Sequence, residues 1–235
     1  MGSLSSHEHY TLLTDYETTA AYTQAFYTLF ANIRFHWENE QQQADEQTLS
    51  TTHTLLVTSA SAYRDRATVA ANLAIVAAQS GGETILVDAD LSAPGIEKRF
   101  GLKPGEGLSD LLEAGEITSE KVATRLQPTF VPGLRVLGTG RSSLPGSALL
   151  LSPQLEQLTV TLREILASSQ KQSGIVLFHS GPVLAGADAS LLGALTDQTV
   201  LTVIVGQTTR VQAKQAQEQL EQAHVKLAGV LMLHP

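Results

Sequence analysis

"TLLVTSASAYRDRATVAANLAIVAAQSGG", residues 54–82, decides how the rest of the chain is read. The aliphatic run at its start has the length of a buried strand. The stretch from Ala67 onward has the small and aliphatic residues of a buried helix that ends on a glycine stop. Between them stands "SAYRDRA", residues 61–67. A strand handing over to a helix through a tight turn is the frame of a phosphate-binding loop, yet the residues in the turn carry almost none of that loop's chemistry. The question is whether the turn holds a nucleotide with unusual residues or has lost its ligand.

Outward from this stretch, strands and helices alternate. "TLLVTSA" leads to a helix over Thr68–Ala78, "TILVDAD" to the segment "GLSDLLEAG", and "LRVLGTG" to the helix "SPQLEQLTVTLREILASS". "GIVLFHS" then leads to "ASLLGAL", "TVLTVIVG" to "TTRVQAKQAQEQLEQAHV", and the chain closes on "LAGVLML". Strands with nearly continuous aliphatic runs are buried on both faces, which requires helices on both sides of a parallel sheet. The expected fold is a three-layer α/β sheet, mostly parallel, formed by one domain over residues 1–235. Ahead of it, an N-terminal helix is expected at about 17–38, with Tyr22, Phe26, Leu29, Phe30 and Ile33 as its apolar stripe, followed by a polar linker at about 38–53. Ligands of such sheets bind at the carboxyl ends of the strands, where the opening stretch lies.

Composition narrows the function. A chain of 235 residues with 43% hydrophobic and 16% charged residues is globular, and a net charge of -8 with only 15 Lys and Arg disfavours binding to DNA or anionic lipid. The absence of cysteine excludes disulfides and thiolate zinc sites and fits a reducing cytoplasm. No apolar run approaches the roughly 18–20 residues of a membrane-spanning helix. The start "MGSLSSHEHY" has neither the basic nor the apolar region of a signal peptide. Nucleic acid and direct membrane insertion are therefore not expected.

Three framework pieces, "FANIRF", "VDADLSAPGIEKRFGLKPGEGLSDLLEAG" and "SGPVLAGADASLLGALTD", agree in order and spacing with one family over roughly Tyr22 to Leu233. The chain resembles the cytoplasmic domain of bacterial tyrosine kinases (BY-kinases), a branch of the MinD/ParA-like P-loop ATPases that regulates capsular and exopolysaccharide synthesis. The resemblance implies three motifs converging on Mg-ATP. The first has the form [AG]xxxxGK[ST]. Ala60 satisfies its start, but Asp65 stands at the glycine, Arg66 at the lysine and Ala67 at the hydroxyl position, ahead of Thr68. Asp65 adds a carboxylate and a Cβ where the loop must wrap around an anion, Arg66 keeps the charge, and Ala67 has no oxygen for a metal. The second motif is a strand ending in DxD, kept here as Asp88 and Asp90, although Ser92 stands where the family usually has arginine. The third is a strand ending in aspartate, and here that place holds His179. Imidazole suits zinc or copper better than Mg²⁺, and no second His or Cys lies at ligand spacing, so no metal site is expected.

The family's subunit-contact helix carries charged positions that are Gln24, Tyr27 and Phe30 in this chain, so its ring of subunits is not expected. With "LMLHP" closing the last strand, the tyrosine-rich tail that the family phosphorylates is not expected. Three functions compete. The first is a catalytically inactive kinase-like domain, with no catalytic residues and no cofactor, that binds a protein partner in polysaccharide synthesis or export. That partner would be the cytoplasmic segment of a membrane polysaccharide co-polymerase or an active BY-kinase relative, placing the chain in the cytoplasm at the inner face of the membrane. The second is a divergent tyrosine kinase using Mg-ATP, and the third a MinD/ParA-type positioning ATPase. In the first reading Arg66 pairs with Asp88 or Asp90 and the loop around Tyr63 fills the phosphate space.

Overall fold

A computed structural model describes residues 12–15, 21–42, 52–63, 66–168 and 174–234. The chain begins with a short 3₁₀ turn at Leu13–Asp15 and a helix α1 at Ala21–Gln42, followed by β1 at Thr52–Ser59 and α2 at Arg66–Gln79. Then come β2 (Glu83–Asp88), α3 (Ile96–Arg99), α4 (Leu108–Ala114), α5 (Ser119–Ala123), β3 (Gln127–Pro128) and β4 (Leu134–Leu137). The second half holds α6 (Gly146–Leu150), α7 (Gln154–Ala167), β5 (Gly174–His179), α8 (Asp188–Ala194), β6 (Gln198–Ile204), α9 (Arg210–Gln222) and β7 (Leu227–Leu233). The strands form one sheet in the order β3-β4-β2-β5-β1-β6-β7, parallel throughout except for the antiparallel pairing of β3 on β4.

Successive residues of a strand face opposite sides, and the central strands are apolar on both. Leu55 and Val57 of β1 join α1 and α2 in one core that includes Phe26, Phe30, Ile33, Trp37 and Ile75. Leu56 turns the other way, into a core with Phe178, Leu111, Leu158 and Leu162 under α4 and α7. Helix α2 is buried over nearly its whole length, which its run of alanines allows because small side chains let it lie close to the sheet. It stops where Gly81 takes a left-handed φ of 94°. Asn72, fully buried in α2, accepts the N–H of Leu13 at 3.0 Å and donates to the Tyr22 hydroxyl at 3.1 Å.

Three expectations are corrected. Helix α1 runs to Gln42, four residues into the expected linker, because the Glu/Gln run is a good helix former and Arg34 pairs with Glu38 one turn on; residues 17–20 and 43–51 lie outside the described residues. Tyr22 of the expected stripe is 39% exposed, and Trp37 extends the stripe instead, stacked on His53 of β1 at 4.4 Å. The last strand is not buried on both faces: as the edge of the sheet it leaves Val230 and Met232 exposed. Helices α3, α5 and α6 and the two-residue β3 were not legible at all, being too short to show a period. Among the described residues no helix is long and apolar enough to cross a membrane.

Candidate functional site at the carboxyl ends of the strands

The central strands β2, β5 and β1 are neighbours, and their register sets Asp88 beside His179 and His179 beside Val57. Their carboxyl ends deliver the segments after Ser59, Asp88 and His179 to one place. Two backbone bonds and one side-chain bond fix the three exits: Ala89 N–H donates to His179 O at 2.8 Å, Ser180 N–H to Val57 O at 3.2 Å, and the Thr58 hydroxyl to Gly181 O at 2.8 Å.

Arg66, the first residue of α2, sits at the centre of this place. Its Nε donates to Asp90 Oδ2 at 2.6 Å and its Nη1 to Tyr63 O at 3.2 Å. The Arg66 side chain is 16% exposed and that of Asp90 only 1%, so the pair is shielded from solvent. The other oxygen of Asp90 accepts the N–H of Ala93 at 3.0 Å, closing the turn after β2. Asp88 is not part of the pair. Its Oδ2 accepts the N–H groups of Gly95 and Ile96, both at 3.0 Å, at the start of α3, and its Oδ1 accepts Asp90 N–H at 3.3 Å. Burial nevertheless pushes the Asp88 carboxyl up from 3.8 to about 7, aided by the charge of Asp90 and opposed by those backbone donors.

His179 is 1% exposed, and its Nε2 lies 3.9 Å from Asp90 Oδ2, too far for a hydrogen bond. Burial pulls it down from 6.5 to about 4, with the charges of Arg66 and Arg99 acting in the same direction and Asp90 against, so the ring is neutral at pH 7. Ala67 is buried, and a Cβ on Gly95 would meet its methyl at 3.0 Å. Thr68, buried one residue further, has a hydroxyl with no partner among the described residues. Ala60 is fully buried and tied to β6 and the segment before α8, its N–H donating to Thr202 O at 3.0 Å and its O accepting Leu184 N–H at 3.2 Å. The Tyr63 hydroxyl lies 3.3 Å from Thr202 Oγ1, so its ring leans toward β6 while its carbonyl faces Arg66. Asp65 lies outside the described residues.

The structure thus brings Ala60, Arg66, Ala67, Thr68, Asp88, Asp90 and His179 together, and adds one acid that sequence reading missed. Asp188, at the start of α8, has its carboxyl raised by burial and then by the charge of Asp90. Its signal was the acidic residue opening the "ASLLGAL" helix. No group of three or more His, Asp or Glu among the described residues is arranged to hold a metal ion. On α1, away from this site, Gln24 is exposed, Phe30 is buried in the core and the Tyr27 hydroxyl donates to Gln79 Oε1 at 2.8 Å.

A mostly parallel sheet with helices on both faces and its site at the carboxyl ends, where the neighbours β5 and β1 lead on in opposite directions, is the architecture of P-loop NTPases of the MinD type. The septum site-determining protein MinD complexed with Mg-ADP from Pyrococcus horikoshii superposes with a TM-score of 0.59 over 77% of this chain and 70% of that one, at 16% identity. The chimerical protein CapA2B2 superposes with a TM-score of 0.77 at 25% identity, covering 95% of this chain and 89% of that one. In sequence, the chain is 30% identical over 210 residues to the tyrosine-protein kinase YwqD of Bacillus subtilis, which covers 89% of this chain and 80% of that protein. It is 35% identical over 163 residues to the putative tyrosine-protein kinase EpsB of Ralstonia solanacearum, 69% of this chain but only 20% of that much longer protein. No family model matches. The chain belongs to the bacterial tyrosine-protein kinase family.

Proposed function

We propose that this chain is a catalytically silent member of its family that acts as a regulatory or interaction module in capsular or exopolysaccharide synthesis or export. The observation that carries this reading is the Arg66–Asp90 pair: the side chain at the lysine position is held by a buried carboxylate of the same chain instead of being free for phosphate. Phosphoryl transfer rests almost wholly on positioning and charge neutralisation around Mg²⁺ and phosphate. The residues present do not fit that group. Ala67 offers no oxygen, Asp88 already accepts three backbone N–H groups, and His179 presents nitrogen where a hard ion needs oxygen. No step of phosphoryl transfer is therefore assigned to these residues.

The polysaccharide setting and the partner rest on the family. The partner we propose is the cytoplasmic segment of a membrane polysaccharide co-polymerase or an active relative, met at the inner face of the membrane. Incubation of the chain with Mg-ATP tests the central point, with phosphotyrosine and released phosphate as readouts. Neither is expected above a protein-free control. Phosphotyrosine would establish the divergent kinase instead, and phosphate release without phosphotyrosine would favour a positioning ATPase.

A further inference from the structure

Among the described residues β7 has a strand neighbour on one side only, and no described strand pairs with its other edge. Proteins guard such edges with charge, proline or a covering element, because unpaired N–H and C=O groups recruit another strand. Neither charge nor proline stands within residues 227–233, "LAGVLML", and among the described residues no further strand lies beside them. Val230 is 53% and Met232 67% exposed, and a Cβ on Gly229 would meet nothing within 4 Å. The register explains the bareness. Leu201 pairs with Val230 and Val203 with Met232, so both exposed residues lie on the sheet face covered by α8 and α9, but beyond the reach of that layer. Leu231 and Leu233 turn to the opposite face and pack on the core with α1 and α2.

We propose that β7 is a pairing edge for a second copy of this chain, joined antiparallel about a two-fold axis at Leu231. In this register Leu231 faces Leu231 of the second copy, Val230 faces Met232, and Gly229 faces Leu233. Each opposed pair lies on one face of the joined sheet, as antiparallel pairing demands. The two exposed residues thereby become each other's cross-strand neighbours, twice over, in a self-complementary contact of the kind that two-fold dimers require. A register centred on Val230 fails the same test. It would oppose Met232 to Ala228, and the irregularity between Thr199 and Val200 puts Ala228 on the other face. The pairing covers residues 229–233 and is narrower than the ~1,200 Å² of a stable interface, so the dimer should form only at high protein concentration. This surface is independent of the nucleotide-site reading.

Sedimentation equilibrium over a range of concentrations up to millimolar tests it. The expected result is reversible dimerisation that Val230→Lys weakens about tenfold or more while leaving the circular dichroism spectrum unchanged. Because the chain has no cysteine, the register can be tested by mixing Val230→Cys chains with Met232→Cys chains under mild oxidation. Mixed disulfide dimers should exceed those formed by either variant alone. A chain that stays monomeric at every concentration, a dimer indifferent to Val230→Lys, or equal yields from mixed and unmixed cysteine variants would each overturn the proposal.

Discussion

Arg163 and Asp197 meet at the amino ends of the strands, and Arg66 and Asp90 at the carboxyl ends. In the first pair Arg163 Nη2 donates to Asp197 Oδ1 at 2.7 Å and to Thr54 Oγ1 at 2.9 Å, while Asp197 Oδ2 accepts Thr54 N–H at 2.7 Å. Both side chains are about 30% exposed, at 28% and 31%, and the group ties α7, β1 and β6 together with every charge answered. At the carboxyl ends the pair itself is complete, but it sits beside a carboxyl raised to about 7 and an imidazole lowered to about 4, both buried. A framework pair satisfies its surroundings, whereas buried titratable groups held from their ordinary states are the mark of a candidate functional site. The Arg66 pair thus stabilises a site whose neighbouring Asp88 and His179 are held from their ordinary charge states.

Arg66→Met gives the largest expected effect, because it leaves Asp90 charged, buried and without its cation. A loss of about 3–5 kcal/mol is expected in urea unfolding at neutral pH. A loss below about 1 kcal/mol would remove the distinction between the two ends.

The pH dependence sharpens it next. Asp88, raised from 3.8 to about 7, adds stability that is full below pH 3.8 and is lost as pH rises through 7. His179, lowered from 6.5 to about 4, adds stability that is full above pH 6.5 and is lost as pH falls through 4. The two slopes oppose each other between these values, so the unmodified chain should change little between about pH 5 and 7. Asp88→Asn should unmask a fall in stability on acidification, and His179→Asn a rise, each about 2 kcal/mol across the window by guanidinium unfolding. Slopes of the same sign in both variants would contradict the assignment. Arg163→Met should cost less, about 1–2 kcal/mol, because Asp197 keeps its Thr54 donors and some solvent. Lys214→Ala, which breaks the exposed pair with Glu218 on α9, should change the melting free energy by less than about 0.5 kcal/mol.

The sheet was legible because β1, β2, β5 and β6 are aliphatic runs and the long helices carry a period. Helices α3 and α6 were not, since four or five residues show none, and the exposure of β7 depends on strand order. At the site, the resemblance placed Arg66 at the lysine position beside the two aspartates, and from that placement the Arg66–aspartate contact could be expected. The partner chosen could not: Asp90 takes the arginine because α3 begins where its N–H groups reach Asp88 first. Asp188 was missed for the same kind of reason, since only the folded chain brings the start of α8 within reach of the charge of Asp90 in the segment after β2.

The claim that the site is closed by its own arginine is tested most directly by titration calorimetry with ADP and Mg²⁺. The unmodified chain should give no binding heat. The combined variant Asp65→Gly, Arg66→Lys, Ala67→Ser and His179→Asp should give measurable affinity if the frame is intact. Micromolar binding of Mg-ADP to the unmodified chain would contradict the account.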